Sequence, residues 1–235
     1  MCFQVFTGLI HSTNKTRTDV ALKTYGKRVS IIPFISADGK THLIVFVLQG
    51  RKTASGDIDF EGTVHQRTRV TRNYPPIFYL ATPSGRISGE DWDLIFGKFL
   101  AIVKPWIGTR EALVYLDNLG SHLTTQSLTN SIDSDITMLF LPPNTTHILQ
   151  PLDNLAFCEF KRALKISMRH YLSPEGFSTE SFTQVMLSLT HTIMLHAFTP
   201  KTLEMSFSNT GLFPFDSLKI MQKVEQFLGL YFPFF

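Results

Sequence analysis

Two aspartates stand where the chain changes direction. Asp117 closes the apolar run Leu113, Val114, Tyr115 and Leu116 and is followed by Asn118. Asp153 closes a loop that opens at Pro142-Pro143 and ends in Gln150-Pro151-Leu152. Residues 113–116 and 138–141 read as short strands of the buried type, and a helix is expected to open at Asp153. In an open α/β sheet the crevice at the carboxyl ends of the strands is where ligands bind. Carboxylates converging there can hold Mg²⁺ between protein oxygens and a phosphate. Each aspartate also has a plain structural use, since Asp and Asn bond their own backbone in turns and Asp is a good N-cap. The surroundings favour the chemical use. Asn118 and His122 put an amide and an imidazole close to the first carboxylate, and the proline-rich loop fixes where the second one points.

The helix after Asp153 carries Lys161, Lys165 and Arg169 at i, i+4 and i+8, with Arg162 beside them. Ala156, Phe160, Ala163, Leu164 and Tyr171 give it an apolar side. Such a basic stripe is either a solvated face or a phosphate-contacting surface whose affinity falls with salt. His122 and His147 are open to two uses, as metal ligands or as hydrogen-bonded structural histidines; neither lies in a zinc-protease or zinc-finger spacing. The chain has no P-loop, no GxGxxG and no GxSxG, which removes most nucleotide-cofactor and serine-hydrolase readings.

These residues need a scaffold, and the sequence describes one. Residues 28–36 and 42–49 are β-rich runs joined by Ala37-Asp38-Gly39-Lys40, a hairpin signal. Residues 7–28 read as a polar loop, residues 50–74 as an exposed connection with a short strand, and residues 77–81 as a further strand. Ser88 begins a helix with Asp91 as capping-box partner. Trp92, Ile95, Phe96, Phe99, Leu100 and Val103 recur on one helical face, and Pro105 is expected to stop it. A weaker helix around residues 124–134 carries Leu128 and Ile132. Helices alternating with strands of parallel type, behind an antiparallel hairpin, make a mixed α/β sheet. After Leu172 the pattern is helical only. Phe182, Val185, Met186 and Leu189 share one face, Thr199-Pro200 starts the next helix, and Gly211 ends it.

The 235 residues are 43% apolar and include 21 Phe, ample for a core. A net charge of +3 falls short of a dedicated nucleic-acid-binding domain, so any such surface is local. The two cysteines exclude a disulfide framework and a Cys-type zinc site. The start MCFQVFTGLIHSTNK does not read as a signal peptide, and the longest apolar run, residues 43–48, is too short to span a bilayer. A reducing compartment, cytosol or nucleus, is the expectation.

Several phrases resemble one family. LVYLDNLGSH, LFLPPNTTHILQPLDNLAFCEFKRAL and FSNTGLFPFD are similar to the DDE transposase catalytic domain of the pogo/jerky branch of the mariner group. SIIPFISADGKTHLIVFVLQGRKT resembles that family's central hairpin, and SGRISGEDWDLIF the helix after it, so the likeness covers residues 27–216. The resemblance implies an RNase H-like sheet flanked by helices. It further implies three carboxylates that bind two divalent ions, Mg²⁺ or Mn²⁺, for metal-dependent cleavage and strand transfer of DNA. Asp117 matches the second carboxylate and Asp153 the third, while Asn118, His122 and Gln150 stand around them or face DNA. The partners implied are DNA and a second copy in a homo-oligomer, with no membrane, in the nucleus. One departure counts against activity. The family's first carboxylate sits upstream of the hairpin in a phrase like Asp-Glu-Thr, and Met-Cys-Phe-Gln-Val-Phe looks like the residues just after that Asp-Glu. Asp19 and Asp38 are poor substitutes. The expectation is therefore an N-terminally truncated, inactive domain of mobile-element descent. Residues 1–172 form its catalytic-type part without first strand or carboxylate, and residues 173–235 a helical C-terminal extension. The alternative is a domesticated, non-catalytic DNA- or protein-binding module.

Overall fold

The computed structural model describes residues 2–5, 8–10, 29–52, 58–60, 63–65, 68–69, 75–117, 119–171 and 179–228. Its sheet begins with β1 (Cys2–Val5), β2 (Gly8–Ile10), β3 (Val29–Ser36) and β4 (Thr41–Gln49). Short strands follow: β5 (Arg51–Lys52), β6 (Ile58–Phe60), β7 (Thr63–His65), β8 (Thr68–Arg69) and then β9 (Ile77–Thr82). Helix α1 (Gly89–Ile107) leads to β10 (Ala112–Leu116), and α2 (Thr125–Ile132) leads to β11 (Ile136–Phe140). The remainder is helical: α3 (Thr146–Leu149), a π-type turn (Leu152–Ala156) running into α4 (Phe157–Tyr171), then α5 (Thr179–Ala197), α6 (Pro200–Thr210) and α7 (Ser217–Leu228).

The main sheet has the order β11-β10-β1-β3-β4-β9-β8, with β2 paired to β3. Strands β1, β10 and β11 run parallel, β3 and β4 form the expected antiparallel hairpin, and β9 lies parallel to β4. This is the mixed α/β sheet that the sequence implied, an antiparallel hairpin beside parallel strands. One expectation is corrected. The first strand is present, as Cys2–Val5 lies between β10 and β3 with Val5 opposite Leu116 and Phe34. Placed there, its backbone groups pair on both sides and no edge opens in mid-sheet. It contributes no acidic residue to that end of the sheet.

Both faces of the hairpin are covered, which is why β3 and β4 read as continuous apolar runs. Ile32, Phe34, Leu43, Val45 and Val47 face α1 and meet Trp92, Phe96, Phe99 and Val103. Ile31, Ile35, Ile44, Phe46 and Leu48 face the other way, onto Phe157, Phe160, Met194, Leu203 and Phe207. Helices α5 and α6 therefore complete the second layer of the sheet's own core; no break in that core follows Leu172. On α5 the buried positions are Leu187, Thr190, Ile193 and Met194. Phe182, Val185 and Met186 of the expected face have side chains outside the described residues.

Other differences have local causes. Residues 8–10 of the expected loop form β2, and residues 11–28 lie outside the described residues. The connection 50–74 holds three-stranded pairing of β5, β6 and β7 together with β8 on the main sheet, where one short strand was expected. Ser88 and Asp91 form the capping box. Pro105 does not stop α1, which runs on to Ile107 and a Gly108 cap. The carbonyl that loses its donor is that of exposed Ala101, which water can satisfy. On α2 the buried side is Ser127 and Ser131, and Leu128 and Ile132 face outward. Small serines let α2 lie close, with Ser127 Oγ bonded back to the His122 carbonyl at 3.3 Å.

Candidate active site

Asp117 leaves the carboxyl end of β10 with its side chain largely buried, 14% exposed. His122, in the short helical turn Gly120–His122, is fully buried, and its Nδ1 lies 2.6 Å from Asp117 Oδ1. The imidazole rests on Trp92 of α1, ring centres 4.1 Å apart. Helix α1, docked by its apolar face, thus supplies the floor on which His122 sits, and His122 in turn stands against one oxygen of Asp117. Thr124 caps α2 and its hydroxyl donates to Asp93 of α1, which ties the loop that carries His122 to the same helix.

Asp153 comes to this end from the other side. After β11 the loop turns through Pro142-Pro143 and Asn144 at φ 62°, and α3 follows. Ile148 and Leu149 of α3 pack with Tyr115 of β10 and Leu141, so the loop is anchored to the strand that delivers Asp117. Asp153 falls within the π-type turn and makes no capping hydrogen bond, so the cap reading of this residue is set aside. Burial pushes its carboxyl above the ordinary range; Lys161 and His147 pull it back, while the Asp117 carboxylate pushes it up further. That effect of Asp117 on Asp153 places the two carboxylates in one electrostatic neighbourhood. Lys161 Nζ is 3.9 Å from Asp153 Oδ1.

The sequence itself carries the family's signature over this region. The sequence model of a family described as DDE superfamily endonuclease matches residues 43–206. The chain belongs to that family. Solved structures with a similar arrangement include "Mos1 transposase paired-end complex with left transposon end", 12% identical, covering 89% of this chain and 55% of that one with a TM-score of 0.46. "Crystal structure of the catalytic domain of Mos1 mariner transposase" is 10% identical over 89% of this chain and 82% of that one, TM-score 0.41. "Structure of Mos1 transposase catalytic domain and Raltegravir with Mg" is 11% identical over 89% and 83%, TM-score 0.41. The chain spans about half the length of the first of these. No curated protein sequence matches it.

Within this DDE domain, Asp117, His122, Gln150 and Asp153 fall at the carboxyl end of β10 and the loop beyond β11, and Asn118 lies outside the described residues. Gln150 is fully buried, and both its amide atoms lack a hydrogen-bond partner among the described residues. His122 Nε2 and Ser121 Oγ are unpartnered in the same sense. Lys161, Arg162 and Lys165 are exposed on α4, and Arg169 continues the helix. Arg162 is engaged by Glu159 at 2.6 Å, so it is a less available cation than the stripe suggested. His147 stands against Phe227 of α7, ring centres 4.4 Å apart. Two features escaped the sequence. Trp92 was read only as core, although it is also the floor under His122. The Asp153–Lys161 contact depends on a π-type turn for which residue spacing gives no cue.

The donor chemistry of the site suits a divalent cation. Two partly buried carboxylates offer hard oxygens, and their shared negative charge is offset by one lysine at the limit of ion-pair distance. Among the described residues no cluster of three His, Cys, Asp or Glu forms, so this pair supplies part of a ligand set and not all of it. No helix among the described residues is long and apolar enough to cross a membrane.

Proposed function

We propose that this chain is a transposase-derived DDE domain of the pogo/jerky branch. Its Asp117 and Asp153 grip Mg²⁺ or Mn²⁺ against a DNA phosphate, for phosphodiester cleavage and strand transfer by descent. The observation that carries the reading is that two partly buried carboxylates, Asp117 near enough to raise Asp153, fall inside the matched region. A divalent ion bound there would stabilise charge on the phosphate and lower the pKa of the attacking oxygen. The chain's own residues do the rest. His122 holds Asp117, Gln150 and Asn118 take supporting or DNA-facing roles, and Lys161, Arg162, Lys165 and Arg169 take phosphate oxygens along the duplex. Such contacts position DNA without reading its sequence. A DNA partner suits a nuclear location, and pairing of two DNA ends suits a homo-oligomer.

With this pair as the acidic ligands found among the described residues, our reading is that the chain by itself does not cleave. The lack of a three-residue cluster among the described residues also favours a second reading, a domesticated module that binds DNA or protein without chemistry. Both meet in one experiment: Mn²⁺ titration of the native chain, Asp117→Asn and Asp153→Asn, with nicking of supercoiled plasmid assayed on the same samples. The metal site requires that each variant lose about tenfold or more in affinity. Equal binding in all three would return the aspartates to turn and helix roles. Nicking that follows Mn²⁺ occupancy would overturn the inactivity. Changing Lys161, Lys165 and Arg169 together to Ala should lower affinity for DNA and flatten its salt dependence.

A further inference from the structure

Lys161 stands eight residues beyond Asp153, yet its Nζ lies 3.9 Å from Asp153 Oδ1. In a regular α-helix a residue eight positions on is rotated by about 80° from the first, which would turn the ammonium aside. The π-type turn Leu152–Ala156 carries more residues per turn, takes up that offset, and brings both side chains to one side of the helix. Turns of this kind inside α-helices occur frequently at functional sites. The contact does little for the fold. The lysine side chain is 59% exposed, and an exposed pair at this distance contributes little to stability. Its Nζ also lies over the ring of Phe157, 5.7 Å from the ring centre, so the ammonium stands between ring and carboxylate without being enclosed. Arg162, the next residue, is instead held by Glu159.

We infer that Lys161 is the placeholder cation of the site. It neutralises Asp153 in the metal-free protein, gives way when a divalent ion takes that carboxylate, and is then left beside the ion, free to take a phosphate oxygen of the DNA. This rests on the metal site proposed above. It adds an order of events: the metal releases the lysine, and the released lysine joins the DNA contact, so the two ligands favour each other's binding.

The test is Mn²⁺ affinity, read from the electron paramagnetic resonance of free Mn²⁺, for the full chain and for Lys161→Met, Lys165→Met and Asp153→Asn, in the absence of DNA. Circular dichroism of each variant confirms its fold. A displaced counter-ion predicts that Lys161→Met binds Mn²⁺ more tightly, by about two- to fivefold, the range open to an exposed ion pair. Lys165→Met, with the same charge four residues further along the stripe, should match the native chain. Unchanged or weaker binding in Lys161→Met, with Asp153→Asn still deficient, would overturn the placeholder role and leave the metal site standing. Equal tightening in both lysine variants would also overturn it, as a general field effect. Native affinity in Asp153→Asn would remove the metal site, and the inference with it.

Discussion

Helix α1 carries a tryptophan near each end, about 21 Å apart along its axis, and each lies on a histidine coupled to an aspartate. Trp92 packs on His122, which touches Asp117; Trp106 packs on His42 at 4.5 Å, and His42 reaches Asp38 through Ser36. A lysine completes each set, Lys161 by Asp153 and Lys40 by Asp38 at 3.0 Å. The composition is nearly the same and the bonding is not. At the Trp106 end Ser36 Oγ donates to Asp38 and lies 2.9 Å from His42 Nε2, while the turn closes through Gly39 N to the Ser36 carbonyl. Burial pushes the Asp38 carboxyl up, but the Ser36 and Lys40 hydrogen bonds and the Lys40 charge outweigh it and hold the group below its ordinary range. At the Trp92 end His122 Nε2, Ser121 Oγ and the Gln150 amide lack partners among the described residues, and Asp153 is held high. A closed set of bonds stabilises a turn. A buried set with capacity to spare, around a raised carboxyl, is where a ligand completes the bonding.

The largest effect that separates the two ends is on stability. Trp92 is fully buried between Phe34, Phe96 and His122, and its replacement by Ala should cost about 3–5 kcal/mol in denaturant unfolding. Trp106 is only half-buried, with the Lys40 and Arg110 cations over its ring, and Trp106→Ala should cost clearly less. Equal costs would mean that the two platforms are equivalent, and the contrast would fail. The next effect is on the metal. His122→Leu frees the Asp117 carboxylate to rotate and should lower Mn²⁺ affinity by about 10–100-fold. His122→Asn, whose amide nitrogen stands where Nδ1 does, should recover part of it. His42→Leu, beside Trp106 at the other end of α1, should bind Mn²⁺ as the native chain does. A loss of equal size there would show that any buried-histidine change loosens the site through the fold.

The same comparison explains what the residues disclosed in advance. The hairpin was legible because Asp-Gly between two β-branched runs is a local signal, and the α1 stripe because burial on one face imposes its own period. Asp117 was legible because an apolar run ends on it. The hidden features are non-local. Cys2–Val5 becomes a central strand only through pairing with β10 and β3, and nothing within those four residues announces it. Ser127 and Ser131 face inward because α2 must lie close to its neighbours, against the order of hydrophobicity. The turn at Asp153 departs from α-helical spacing, so a stripe drawn at i, i+4 and i+8 could not show that Lys161 faces a carboxylate. Trp92 does two things with one ring, and a periodicity reports only the first.

The smallest effect concerns the closed end and the sign of its pH dependence. Burial holds the His42 imidazole down to about 4; the Asp38 charge pulls the value up and Lys40 pushes it further down. In the unfolded chain a histidine takes its proton near pH 6.5, where folded His42 is still neutral. Between those values the unfolded state binds more protons, so stability falls as the pH drops from about 6.5 to about 4 and the loss then levels off. Asp38 acts in the same sense at lower pH, because a lowered carboxyl stabilises above its unfolded value and the gain is lost as the pH falls through the folded one. His42→Asn removes the first contribution and leaves the second. Its melting temperature should therefore change less than that of the native chain between pH 6.5 and 4.5, by an amount worth under about 1.4 kcal/mol per pH unit. If His42→Asn instead leaves the profile as steep as in the native chain, His42 is not the histidine buried at the cost of its proton, and the closed set at this end of α1 has been misread.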